Sequence, residues 1–225
     1  MSKEATLEVS RRSRITAVVL GVLYLAFWLW WGGSGEPLSE QAAAVYLGKL
    51  EALSAQSAHP NSKTLSAFRS LVGQDDGNEY YMVNLMKFRD KALYPPGYDY
   101  DDDAQAAAER YAAAVVPALV KQGSIPILMA DVQGRFLDFD GADEWDQVGI
   151  VRYRSRRDMF EFAFELGAKD QGVHKWASLE KTHVFPAEPV ISLAMVRTLV
   201  ACLLIGIGLA LHVLFKALAR RSARA

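Results

Sequence analysis

Residues 80–88 read YYMVNLMKF, and residues 146–153 read DQVGIVRY. Each is a short apolar run with β-branched or aromatic residues, and each follows turn-forming residues. Both are expected to be strands. In the first, Met82, Asn84 and Met86 take one face and Val83 and Leu85 the other, because successive strand residues alternate. In the second, Val148, Ile150 and Arg152 share a face. The two runs set the register of everything around them.

Upstream, Ser39 is placed to cap a helix running to about Gln56, with Val45, Leu47, Leu50 and Leu53 apolar. His59-Pro60-Asn61 breaks it. Ser62 then caps a second helix through Leu65, Phe68, Leu71 and Val72, and Gly73–Asn78 is an Asp- and Gly-rich turn. Downstream of the first strand, Pro95-Pro96-Gly97 marks a loop. YDYDDD (residues 98–103) then leads into an alanine-rich helix, Ala104–Gln122, that stops at Gly123. Strands are expected at Ser124–Val132 and, after a turn at Gln133-Gly134, briefly at Arg135–Phe139. Beyond Tyr153, Ser155 caps a helix carrying Met159, Phe160, Phe162, Ala163 and Phe164. A helical stretch follows around Lys169–Leu179, and a last strand at Lys181–Phe185. Strand, helix, strand, strand, helix, strand is the ferredoxin-like α+β order, βαββαβ. Two helices cover one sheet face. The other is also apolar and needs a partner.

Both ends of the chain are of another kind. Ile15–Trp31 has no charged residue and, with Gly32 and Gly33, approaches the thickness of a bilayer core. Trp28, Trp30 and Trp31 gather at its far end, where indoles favour the headgroup level. The apolar run is too long for a signal-peptide core and no A-x-A site follows, which argues against cleavage. Val190–Phe215 is a second candidate span. Arg197 lies about two turns inside it, placed either to snorkel to the interface or to pair within a helix bundle. Gly206 and Ala210 form a short small-xxx-small pair. Lys3, Arg11, Arg12 and Arg14 precede the first span; Lys216, Arg220, Arg221 and Arg224 follow the second. Positive residues stay inside, so both termini are expected in the cytoplasm and the middle outside it.

The organisation expected is a tail (1–14), a span (15–33), a helical neck (34–61), an α+β domain (62–189), a span (190–215) and a basic tail (216–225). The location expected is a bacterial inner membrane, with the domain periplasmic or extracellular. Cys202, the single cysteine, falls in the second span, so no disulfide staples the exported part. The net charge of −1 gives no argument for nucleic acid.

Five segments carry a family likeness. They are VNLMKFRDKALY (Val83–Tyr94), ERYAAAVVPALVKQGS (Glu109–Ser124), EWDQVGIVRYRSRRDMFEF (Glu144–Phe162), HKWASLEKTHVFP (His174–Pro186) and the preceding helix with its Gly-rich turn. Over Asn61–Pro186 the chain resembles a family of uncharacterised proteins in the dimeric α/β-barrel superfamily. The spans and the helix after Ser39 lie outside that pattern. The resemblance implies a homodimer with two sheets face to face. The superfamily includes cofactor-free monooxygenases, isomerases and haem enzymes, and fold alone does not choose among them.

Three residues stand out as ligand-binding candidates. Asn84 is an amide at a strand centre, facing either a pocket or a loop that it satisfies. Arg152 is a guanidinium among aliphatics, which requires a carboxylate or an anionic ligand unless it reaches water. His174 is an acid or base near neutral pH, with no accompanying nucleophile pattern. Alternation and the expected neighbouring of the first and third strands put Asn84 and Arg152 in one cavity opposite the helices. The aspartates at 99 and 101–103 lack EF-hand spacing and suit a helix N-terminus. His212, at the inner end of the second span, raises paired-histidine haem ligation in a dimer only as a remote alternative. No P-loop, G-x-G-x-x-G, H-E-x-x-H, G-x-S-x-G or C-x-x-C occurs, and no metal or cofactor is expected.

The expected function is a membrane-anchored module binding a small, mostly apolar ligand. The alternatives are a cofactor-free monooxygenase- or isomerase-type enzyme, or a structural subunit of a larger membrane complex.

Overall fold

The computed structural model describes residues 3–32, 35–56, 62–137, 144–189 and 196–222. The chain divides into two compact units: Met1–Trp31 with Val190–Ala225, and Gly32–Pro189.

The first unit contains α1 (Lys3–Gly32) and, at the other end of the chain, α7 (Val196–Ser222). Leu7–Gly32 and Val196–Arg221 are each 26 residues long and apolar enough to cross a membrane. The helices run antiparallel. Ser13 Oγ lies 2.7 Å from His212 Nδ1, and the Tyr24 hydroxyl donates to the Arg197 carbonyl at 3.4 Å. A Cβ on Gly208 would lie 3.3 Å from Leu20 Cδ1, whereas Gly206 has nothing within 4 Å. The close approach is therefore at Gly208 and not at the Gly206/Ala210 pair. The Arg197 guanidinium lies 4.1 Å from the Trp28 ring centroid, a contact compatible with either alternative. Residues 190–195 and Gly33 lie outside the described residues.

The second unit is α+β. It contains α2 (Glu40–Gln56), α3 (Ser62–Gly73), β1 (Tyr80–Phe88), α4 (Ala104–Lys121), β2 (Ile125–Asp131), β3 (Gln147–Tyr153), α5 (Arg156–Ala168), α6 (Gly172–Ser178) and β4 (Leu179–Ala187). The helix starts follow local chemistry. Ser39 Oγ accepts from the Ala42 amide at 3.2 Å, and Ser155 Oγ from the Asp158 amide at 3.2 Å. Asp103 Oδ1 accepts from the Gln105 and Ala106 amides at 2.8 and 3.1 Å. Gly123, at φ +68°, ends α4 in a conformation that suits glycine. The His59-Pro60-Asn61 break lies outside the described residues.

The strands form one antiparallel sheet in the order β2-β3-β1-β4. Tyr80 pairs with Tyr153, Met82 with Val151 and Asn84 with Gly149. Tyr80 and Tyr153 are buried with Ala118 and Leu119 of α4 and Met159, Phe160, Phe162 and Leu166 of α5. This face is covered by helices. Tyr46 of α2 stacks on Phe160 and Phe164, and Phe68 of α3 meets Phe160, so α2 and α3 cover the outside of α5.

The alternate residues form the other face. Tyr81, Val83 and Leu85 of β1 lie there with Val148 and Ile150 of β3, Leu128 of β2 and Phe185 of β4. Leu128 and Phe185 are 44% and 38% exposed. The expected strand at Arg135–Phe139 does not form in its described part. Gly134 at φ +113° turns the chain out of the ladder, and Phe136 and Leu137 project into solvent. Asp138 and Phe139 lie outside the described residues.

One buried ionic cluster gathers both ends of this unit. The Arg156 guanidinium reaches Asp76 at 2.7 Å, Glu188 at 3.1 Å and Asp75 at 3.9 Å, and sits 5.0 Å from the Tyr80 ring centroid. Asp75 accepts from the Leu38 amide at 2.6 Å and the Gly77 amide at 3.2 Å. A Cβ on Gly77, at φ +78°, would meet backbone atoms of Glu36 and Pro37 at 2.5 and 2.6 Å, so only glycine fits.

Candidate functional site

Register decides the fate of two candidates. Asn84 pairs with Gly149, and Arg152 pairs with Tyr81. Directly opposed residues share a face, so Asn84 lies on the helix-covered side and Arg152 on the other. The single cavity expected for both does not exist. The reason is a one-residue offset between the two alternating patterns, which no periodicity within either strand reveals.

Arg152 is fully buried and meets a carboxylate, one of the two partners its chemistry demands. Its Nε donates to Glu79 at 2.7 Å and its Nη1 to the Gly123 carbonyl at 3.1 Å. That arrangement fixes the start of β1 against the end of α4. Asn84 donates from Nδ2 to the Met82 carbonyl at 3.2 Å and the Gly149 carbonyl at 3.4 Å. Beside it, Met129 Sδ and Met86 Cε lie over Gly149, at 2.9 and 3.2 Å from where a Cβ would stand. The amide thus sits among thioethers, soft groups that adapt to what they touch.

His174 is the candidate around which a constellation forms. After β1 the chain is pinned back along α6. Arg89 and Leu93 amides donate to the Ser178 and Ala177 carbonyls, each at 2.9 Å, and the Ala92 amide to Asp102 at 2.7 Å. The loop so held brings Tyr94, Tyr98 and Tyr100 to one place. The Tyr94 hydroxyl lies 2.8 Å from His174 Nδ1, and the Tyr94 and Tyr100 rings meet the imidazole edge-on at 5.7 and 5.0 Å. Arg110 of α4 binds Asp101 with one nitrogen at 3.0 and 3.1 Å and donates to the Tyr94 oxygen at 3.4 Å. Its guanidinium lies 4.9 Å from the Tyr100 ring centroid. Tyr98 donates to Asp170, which stands at φ +52° just past the C-terminus of α5.

The electrostatics follow. Burial, and then the Arg110 charge, hold the His174 pKa below the ordinary histidine value, against a smaller pull from Asp170. The ring is neutral near pH 7. The Tyr94 hydroxyl and His174 Nδ1 share one hydrogen bond whose donor is set by the imidazole tautomer, and Arg110 donates to the same phenolic oxygen. Next along α6, Lys175 lies 5.8 Å from the Tyr111 ring and 5.7 Å from that of Trp176, and burial lowers its pKa. Three of the aspartates before α4 are occupied: Asp103 caps the helix, Asp102 holds Lys91 at 2.5 Å and Asp101 holds Arg110. Among the described residues no group of three or more His, Cys, Asp or Glu is arranged to hold a metal.

Residue-by-residue reading missed Tyr94, Tyr98, Tyr100 and Arg110. Their signal was there: three tyrosines within seven residues of a Pro-Pro-Gly loop require a surface on which to dock.

No protein-family model matches the chain. No curated protein matches it significantly. Among solved structures it is similar to RPA0582, a protein of unknown function from Rhodopseudomonas palustris. The TM-score is 0.51 at 20% identity, over 59% of this chain and 96% of that one. The methylated RPA0582 protein gives 0.50 at 20% identity, over 60% and 95%. At this identity the likeness concerns the fold alone.

Proposed function

We propose that this protein is a membrane-anchored binding module. In this reading α1 and α7 cross a bacterial inner membrane with both termini in the cytoplasm. The central unit adopts the ferredoxin-like βαββαβ plan of the dimeric α/β-barrel superfamily and pairs with a second copy. The pair holds a small, mostly apolar ligand. One observation carries the proposal: a sheet with α4 and α5 packed on one face, and tyrosine, valine, leucine, isoleucine and phenylalanine side chains left on the other. Exposed apolar area of this kind is stabilised by burial against a complementary surface, and a two-fold axis supplies one at no further cost in sequence. The strand order β2-β3-β1-β4 supports the plan.

The test is cross-linking of the full chain in detergent. In a Cys202→Ser background, Val83→Cys, Leu85→Cys and Ile150→Cys are oxidised mildly. At least one is expected to give a covalent dimer, whereas Ala112→Cys on the exposed side of α4 is not. A strictly monomeric protein with no cross-link from any of the three sinks the proposal. Mass spectrometry of small molecules extracted from the purified protein identifies the ligand. A reporter fused after Ala225 is expected to be active only in the cytoplasm.

A second reading, a cofactor-free enzyme of the monooxygenase or isomerase type, is favoured by the Tyr94–His174 pair. It gains ground if the retained molecule is converted by the protein and not by its His174→Gln variant.

A further inference from the structure

In the two-helix unit, the ends that carry the basic tails enclose a cleft of about 320 Å3. Val9 and Ala17 form its apolar part. Ser10, Ser13 and Arg14 of α1 and His212 and Lys216 of α7 supply the polar rim. The Ser13–His212 hydrogen bond joins the two helices there. Arg14 leans back on its own helix, with Nη2 3.3 Å from Ser10 Oγ and Nε 3.4 Å from the Ser10 carbonyl. Both contacts are long and neither acceptor is charged. The nearby carboxylate of Glu8 is taken by Arg12 at 2.7 Å. Among the described residues, neither Arg14 nor Lys216 forms an ion pair.

Two cations on facing helices line one cleft, and an anion seated there is attracted by both. The donors differ in kind: a guanidinium fork, an ammonium and a serine hydroxyl. A group with several acceptor oxygens around one centre satisfies all three, and a phosphate has that form. The position adds to the case. Ile15 opens the uncharged run of α1, and Lys216 follows the apolar run of α7 that ends at Phe215. The cations therefore stand where both apolar runs stop, with an apolar wall beside them.

We propose that this cleft binds a phosphate group, that of an anionic phospholipid, with Arg14 and Lys216 as its charged contacts and Ser10 as a hydroxyl donor. The inference rests on the two-span reading only for the source of the phosphate: a helix pair crossing the bilayer meets headgroups at this level. Ala17, inside the uncharged run, then lies along the start of an acyl chain.

The experiment uses the full chain in detergent micelles, exposed to an equimolar mixture of phosphatidylglycerol and phosphatidylcholine and examined by native mass spectrometry. The wild-type protein is expected to retain phosphatidylglycerol in preference. Removing both charges with Arg14→Gln and Lys216→Gln is expected to lower that preference by roughly 25-fold, taking each near-surface charge as about a fivefold factor. Arg14→Lys with Lys216→Arg keeps most of it. Arg220→Gln with Arg221→Gln, in the same tail but outside the cleft, leaves it unchanged. In a separate arm, inorganic phosphate is added and thermal unfolding is followed. If phosphate stabilises the wild type and not the double Gln variant, while phosphatidylglycerol is not retained, the site stands with free phosphate as its source. Equal retention of the two lipids with no response to phosphate overturns the proposal. So does a preference lost equally in the Arg220/Arg221 variant. Alkaline carbonate extraction judges the two-span reading independently: release of the protein from membranes ends that reading, and the phosphate arm still decides the cleft.

Discussion

The two faces of the central sheet are built from the same strands and nearly the same residue types, yet they have opposite fates. On one, Tyr80, Met82, Val151 and Tyr153 are packed against α4 and α5. On the other, Tyr81, Val83, Leu85, Val148 and Ile150 have no helix of their own unit among the core that covers the first. Alternation in a strand says that two faces exist. It does not say which is filled from within the chain. A strand apolar on both faces suits a sheet covered twice, and here the chain itself packs α4 and α5 on one of the two.

That contrast is open to attack. The largest effect is expected on the covered side. Phe160, which is fully buried between Tyr46, Phe68 and Phe164, should cost about 3–5 kcal/mol when cut to alanine, read by denaturant unfolding in detergent. Arg152→Ala comes next, at roughly 2 kcal/mol. It strands the Glu79 carboxylate and the Gly123 carbonyl, but Glu79 is partly exposed and water recovers part of the loss. On the open side, Ile150→Glu should change the stability of the dilute monomer by less than about 1 kcal/mol and shift the mass measured by light scattering from two chains to one. If it unfolds the monomer as severely as Phe160→Ala does, the two faces are not different in kind.

The smallest effect sharpens the comparison at its margin. His174 has a folded pKa below its unfolded value, so the unfolded state binds more protons as pH falls through the ordinary histidine range. Its contribution is complete above about pH 6.5 and is lost below it, down to the lower folded pKa. His174→Gln, which retains a hydrogen-bonding partner for Tyr94, should flatten the stability profile between pH 7 and 5. An unchanged slope would mean that other groups set the acid sensitivity of this loop.

The elements were legible wherever the signal is local. YYMVNLMKF gives β1 to the residue, because apolar alternation and flanking turns are contained in the run itself. Ser39, Ser155 and Asp103 announce their helices because a cap needs only the next three residues. The sharing of a face by Asn84 and Arg152 was not legible, since register is a relation between strands and a shift of one residue reverses it. The Arg156 cluster was missed for a similar reason. Asp75 and Asp76 read locally as turn formers, and nothing nearby in sequence says that a guanidinium eighty residues away will be buried against them. The need of Arg152 for a carboxylate was legible; the identity of Glu79 was not.

The Arg156–Asp75 pair has a consequence beyond charge balance. Leu38 and Glu188 belong to the opening and closing stretches of the central unit, and both are held by that one pair. A polypeptide whose two extremities are pinned together can be cut and rejoined without a change in its architecture. Joining the stretch near Pro37 to that near Glu188 by a short linker, with new termini opened at the exposed turn of Gln133 and Gly134, should give a circular permutant with the same sheet order.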